Sequence, residues 1–129
     1  NDSMINTPNT FAIYMIKLVC EWMKERGGVP AFYEYNRKKA KILYDYLDRS
    51  KLFHNPVRPQ DRSLMNVTFV TGDADKDAAF VKECGRNGLV NIKGHRNVGG
   101  MRASIYNAMP EEGVKKLISV MAAFEKENA

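Results

Sequence analysis

The sequence predicts an α+β fold, a small and mainly antiparallel sheet covered by helices. Three observations lead there. Met65, Val67 and Phe69 alternate with Asn66, Thr68 and Val70 as in a half-buried strand. Apolar residues recur at spacings of three and four after Pro30 and again after Pro110. The elements then follow in the order helix, helix, strand, helix, strand, strand, helix.

Asn6-Thr7-Pro8 reads as a helix start, a capping residue followed by proline in the first turn. The helix that follows carries Phe11, Ile13, Tyr14, Met15, Ile16, Leu18, Val19 and Trp22 around most of its circumference, with Lys17, Glu21 and Lys24 on one narrow face. Such a helix is expected to be buried on more than one side and to need partner structure beyond this chain. Gly27-Gly28 ends it, and a second helix is expected from about Pro30 to Arg49. Its apolar positions are Phe32, Tyr35, Ile42, Leu43, Tyr46 and Leu47, while Lys38, Lys39 and Lys41 read as part of a solvated face. A loop around Asn55, Pro56 and Pro59 leads to the first strand, which Thr71-Gly72 stops. A third helix is expected from Asp73 or Asp75 to about Asn87, with Gly88 as its terminal turn. Val90-Asn91-Ile92 and Met101–Ile105 read as strands. Pro110-Glu111-Glu112 opens the last helix, whose stripe is Val114, Leu117, Ile118, Met121 and Phe124.

With 129 residues and 44% hydrophobic content, the chain can bury one core. It is too short for a Rossmann domain or a TIM barrel. The 20 Lys+Arg exceed the 15 Asp+Glu, for a net charge of +5, yet the basic residues are interleaved with acidic ones. Nucleic acid is therefore not an expected partner. No apolar run reaches the ~18–20 residues that span a membrane, and a signal peptide is not evident. The cysteines Cys20 and Cys84 both fall in helical stretches, which suits a reducing compartment, and the expected location is the cytoplasm. The first residue is Asn1 rather than a methionine, and the chain is expected to be a piece of something longer.

The chemistry concentrates in Lys93-Gly94-His95-Arg96-Asn97-Val98-Gly99-Gly100-Met101-Arg102. Gly94, Gly99 and Gly100 let backbone approach closely, and Arg96 and Arg102 offer planar forks that match carboxylate or phosphate with paired hydrogen bonds. Two forks on one bent connection suit a small molecule with two anionic ends. The same pattern also suits a tight turn with its arginines in surface ion pairs. Lys93 could be a Schiff-base lysine, but it reads better as a solvated strand end. His54 reads as a surface residue in a proline-rich loop. No group of residues has metal-ligand spacing, so no metal is expected. Asn6-Thr7 suits a helix cap, and a helix start can also bind phosphate.

Several of these stretches carry a resemblance. Asn6-Thr7-Pro8-Asn9-Thr10-Phe11 resembles the Asn-Thr-Pro-Pro-Thr-Phe stretch of the phosphoserine aminotransferases, and Glu21-Trp22 and Gly27-Gly28 fall where that family has the same pairs. Arg62-Ser63-Leu64-Met65-Asn66-Val67 is similar to its Arg-Ser-x-Met-Asn segment, and the run from Gly94 to Ala108 is similar to its signature. Asn9, Thr68 and Asn97 depart from the pattern, standing where proline, proline and serine are usual. The resemblance runs along nearly the whole chain but covers only the C-terminal part of a longer subunit. It implies the small domain of a fold type I aminotransferase (residues 29–129), preceded by a helix (residues 1–28) that links to and rests on an absent large domain.

It further implies a pyridoxal 5′-phosphate enzyme of serine biosynthesis, a homodimer that interconverts 3-phosphohydroxypyruvate plus glutamate with phosphoserine plus 2-oxoglutarate. By position, Arg102 matches the residue that grips the substrate α-carboxylate. His95 and Arg96 match the pocket for the phosphate, and Asn6 and Thr7 the pair that reaches the cofactor phosphate of the neighbouring subunit. The Schiff-base lysine belongs to the large domain, and Lys93 does not match it. The chain alone is therefore expected to bind no cofactor and to be inactive. The alternative is a free-standing anion-binding or regulatory module that uses His95, Arg96 and Arg102 without catalysis.

Overall fold

Asn9, not Asn6 or Thr7, caps the first helix, its side-chain oxygen accepting from Ala12 N at 3.1 Å. Pro8 therefore precedes the cap rather than following it, which corrects the start read from Asn6-Thr7-Pro8. The computed structural model describes residues 5–128. These form α1 (Thr10–Glu25), α2 (Gly28–Leu47), a short 3₁₀ turn (Pro59–Asp61), β1 (Asn66–Phe69), α3 (Ala74–Arg86), β2 (Met101–Ser104) and α4 (Glu111–Asn128). The α+β expectation holds, with four α-helices and one two-stranded antiparallel sheet among the described residues. No helix is long and apolar enough to cross a membrane, among the described residues.

The chain divides into two compact units, up to Tyr35 and from Asn36 onward. In the first, Gly27 takes a φ of 92° after α1, and the Trp22 ring meets Phe32 at 4.8 Å while Arg26 lies over its face. No residue of α1 is buried. Phe11 is 74% exposed and Ile16 63%, with Ile13, Tyr14 and Met15 also exposed, so the apolar circumference has no cover among the described residues.

In the second unit, β1 and β2 pair antiparallel with Phe69 opposite Met101 and Asn66 opposite Ser104. Single bridges, His54–Val70 and Lys93–Met101, extend this ladder. Val90-Asn91-Ile92 is not a strand. Asn91 takes a φ of +61°, which breaks the extended run, and only Ile92 reaches the ladder, accepting from Arg102 N at 2.7 Å. Asp73 caps α3 by accepting from Asp75 N and Lys76 N, and Gly88, at φ 73°, supplies the turn beyond its end.

Val67, Phe69, Met101 and Ala103 turn into a core closed by α3 and α4. Phe53, Phe69, Phe80 and Phe124 meet in tilted and edge-to-face contacts at its centre, with Phe53 and Phe80 ring centroids 4.7 Å apart and Phe80 and Phe124 5.2 Å apart. Cys84 is buried here as well, and burial pushes its thiol up to about 12, which makes it unreactive. The inward stripe of α2 in this unit includes Asn36, Lys39, Ala40, Leu43 and Leu47. Lys39 is fully buried, against the solvated face expected of it, because carbonyl groups meet its ammonium inside.

Glu125 on α4 ties the end of α2 to the segment after it. Its carboxylate accepts from Tyr46 Oη at 2.7 Å, Ser50 Oγ at 2.9 Å and the backbone N–H of Lys51 and Leu52. Burial by itself would raise this carboxyl, but the hydrogen bonds prevail and hold it below its ordinary 4.5. A carboxyl lowered in the folded state adds stability that is fully present above its unfolded value and lost as pH falls through the folded one. Glu125→Gln is therefore expected to lose about 1–2 kcal/mol at pH 7. In urea denaturation the gap to the parent chain should close as the pH falls below 4.5.

Candidate functional site

A β-strand sends successive side chains to opposite faces. Because Met101 and Ala103 are buried, Arg102 and Ser104 stand on the other face of β2. The register sets Thr68 opposite Arg102 and Asn66 opposite Ser104, so β1 contributes polar residues to the same face. Ser104 Oγ donates to Asn66 Oδ1 at 3.1 Å, and Asn66 Nδ2 donates to Tyr106 Oη at 2.9 Å. The alternation of Asn66 and Thr68 with Val67 and Phe69 is legible in the sequence, but not which residues of β2 they face. The missing information was the register.

The glycine-bent connection before β2 is a closed turn. Gly94 N donates to Gly100 O at 2.9 Å, and the N–H groups of Val98 and Gly99 both donate to His95 O. Asn97 N donates to His95 Nδ1 at 3.3 Å. A Cβ on Gly94 would collide with the carbonyl oxygen of Gly99. Gly100 has a φ of +61°, and a Cβ there would meet Val70 Cγ1 at 2.6 Å. Close backbone approach thus requires glycine at position 94, whereas Gly99 has open space around it and is favoured by its φ of +78° instead. The turn leaves His95 and Arg96 exposed, beside the strand that carries Arg102.

The arginines divide sharply by environment. Arg62 forms a two-pronged pair with Asp48 at 2.7 and 2.6 Å and lies 4.6 Å over the Tyr44 ring. The Arg62 hydrogen bond holds the Asp48 carboxyl below its usual value, against the opposing effect of burial. Arg58 pairs with Asp61 and Arg86 with Glu83, while Arg49 donates to Asp45 O. Arg96 and Arg102 have no carboxylate partner among the described residues. Arg102 Nε is buried without a hydrogen bond. Arg62 Nε shares that condition, but both of its terminal nitrogens are held by Asp48. Among the described residues, the turn-with-ion-pairs reading therefore finds no carboxylate at either site arginine.

Asn6 and Thr7 lie in the other unit, both exposed. With Asn9 capping α1, neither side chain makes a hydrogen bond among the described residues, and their amide and hydroxyl donors can serve a phosphate. Neither lysine beside these elements is suited to a Schiff base. Lys93 is exposed at its bridge, and the Lys39 ammonium donates to two carbonyls. The donors of Asn6 and Thr7 are thus compatible with the phosphate of pyridoxal phosphate, and Lys39 is committed to its two carbonyls. His54 is exposed and pairs through its backbone with Val70, as suits a surface residue. Among the described residues no cluster could hold a metal ion.

The family model for class-V aminotransferases matches residues 1–117. The phosphoserine aminotransferase of Listeria monocytogenes serovar 1/2a is 62% identical over 124 residues, which cover 96% of this chain and 34% of that protein. The solved phosphoserine aminotransferase of Bacillus circulans subsp. alkalophilus superposes with a TM-score of 0.95 at 42% identity, covering 100% of this chain and 36% of its own. A pyridoxal-phosphate-bound phosphoserine aminotransferase from Trichomonas vaginalis gives 0.88 at 42% identity, over 95% of this chain and 35% of its own. The chain spans about a third of the length of these relatives. Gly94→Ala should cost about 2 kcal/mol or more, because a colliding backbone carbonyl must move. Urea denaturation measures the loss, and a midpoint equal to that of the parent chain would show the turn to be looser than described.

Proposed function

We propose that this chain, which belongs to the class-V aminotransferase family, is the substrate-recognising C-terminal part of a pyridoxal-phosphate-dependent phosphoserine aminotransferase. The whole protein would interconvert 3-phosphohydroxypyruvate plus glutamate with phosphoserine plus 2-oxoglutarate. The observation that carries this reading is Arg102, set on β2 with a buried Nε that has no hydrogen-bond partner among the described residues. A guanidinium held this way is ready for a carboxylate.

Arg102 grips the α-carboxylate and orients the amino-acid substrate. His95 and Arg96, on the adjoining turn, receive the distal phosphate, or the distal carboxylate of glutamate. Both substrates carry two anionic ends, and one pair of subsites serves each in turn. Asn6 and Thr7 donate to the cofactor phosphate of the neighbouring subunit in a homodimer. The cofactor supplies the electron sink for transamination when it is bound. The remainder of the protein, a large domain holding the Schiff-base lysine, covers the apolar face of α1. Residues 29–129 then form the small domain and residues 1–28 the link. The closed glycine turn, the polar strand face and the match to phosphoserine aminotransferases support this assignment, and a cytoplasmic location suits a soluble biosynthetic enzyme.

Arg102→Ala in the full-length enzyme is expected to lose about 2–3 kcal/mol of transition-state stabilisation, because a substrate carboxylate is left without its charged partner. Steady-state kcat/KM for phosphoserine and for glutamate reads this directly. Near-normal transamination would remove Arg102 from its role. The chain by itself should show no transamination with added pyridoxal phosphate, and turnover would mean that it carries a functional lysine after all.

A further inference from the structure

Lys39 is a charged residue at 0% exposure, on the inward stripe of α2. Taking an ammonium out of water is costly unless polar groups replace the lost hydration. Its Nζ donates to Tyr106 O at 2.8 Å and to Met109 O at 2.9 Å. These two carbonyls belong to the short connection between β2 and α4, which begins immediately after the strand bearing Arg102. One turn earlier on α2, Asn36 Nδ2 donates to Asn107 Oδ1 at 2.7 Å. Two buried polar residues of one helix thus hold three residues of one loop. Burial lowers the Lys39 pKa from its ordinary 10.5.

The loop has a second attachment on its far side. Tyr106 is itself more than half exposed, yet its Oη accepts from Asn66 Nδ2, and Asn66 Oδ1 accepts from Ser104 Oγ. Asn66 and Ser104 form the cross-strand pair next to Thr68 and Arg102 on the same face of the ladder. A continuous path therefore runs from the Lys39 ammonium through the Tyr106 carbonyl, ring and hydroxyl to the residues flanking Arg102. A hydrophobic residue at position 39 could fill the space, but it could not fix the direction of two carbonyls.

We propose that Lys39 is a positioning residue for substrate binding, its ammonium fixing the Tyr106–Met109 connection so that Tyr106, Asn66 and Ser104 hold the polar strand face on which Arg102 meets the carboxylate. This rests on the reading of Arg102 as the carboxylate-binding group. Lys39 touches neither substrate nor cofactor, and its loss should weaken binding more than turnover.

The test uses the full-length enzyme with Lys39→Met, Lys39→Arg, Tyr106→Phe and the Lys39→Met/Tyr106→Phe double variant, alongside Arg102→Ala. Lys39→Met, with similar length and no charge, is expected to raise KM for glutamate and for phosphoserine about tenfold while kcat changes less than threefold. Lys39→Arg should recover most of that loss. Tyr106→Phe leaves the buried lysine intact and keeps the fold, so it carries the test if Lys39→Met does not fold. It should raise both KM values about threefold. The double variant should be no worse than Lys39→Met alone, since both changes break one path. Unchanged KM in Tyr106→Phe, unchanged KM in folded Lys39→Met, or effects that multiply in the double variant would each overturn the proposal. If Arg102→Ala raises KM while Lys39→Met and Tyr106→Phe do not, only the positioning role fails. If Arg102→Ala has no effect, the underlying reading fails, and the proposal with it.

Discussion

The pairing of β1 with β2 is the constraint on which the rest depends. Four cross-strand pairs set Val67, Phe69, Met101 and Ala103 inward and Asn66, Thr68, Arg102 and Ser104 outward. A slip of one residue would exchange these faces, burying a guanidinium among phenylalanines and exposing the apolar row. The phenylalanine cluster thus fixes the register, and the register aims Arg102. Hydrophobic burial supplies the energy, while the chemistry occupies the face left over.

Around this ladder, polar groups do a different job. Glu125 gathers the end of α2 and the segment after it, Lys39 gathers the connection after β2, and the Arg62–Asp48 pair fixes the entry to β1. Each joins elements distant in sequence, and each is satisfied by hydrogen bonds of defined direction rather than by general attraction. Arg102 departs from this pattern. Its Nε is buried like that of Arg62, yet no carboxylate of the described chain answers it. A charge arranged in this way is costly to a protein whose only task is to fold, and it is understandable where a ligand completes the arrangement.

Much of this was legible in the sequence. The strand at 66–69, the helix at 74–86 with its Asp73 cap, and the α4 stripe all follow from local patterns that tertiary contacts reinforce. Arg96, Arg102 and the three glycines were legible as well, as a glycine-bent connection carrying two guanidinium forks, although the same pattern also suits a structural turn. Lys39 and Asn36 were not legible, since a polar residue on a helix stripe looks solvated until the carbonyl facing it is known. Val90-Asn91-Ile92 looked extended by composition, but the left-handed turn at Asn91 is set by the route back to the ladder. Asn6-Thr7 resembled a cap because Asn9 offered the same chemistry three residues later. The link between Asn66, Ser104 and Tyr106 needed the strand register, which periodicity does not supply.

The most direct measurement is a crystal structure of the full-length protein with O-phosphoserine bound. The account predicts the substrate carboxylate on the terminal nitrogens of Arg102 and the phosphate against His95 and Arg96. A carboxylate held by residues outside this chain, with Arg102 closed onto a protein carboxylate instead, would contradict it.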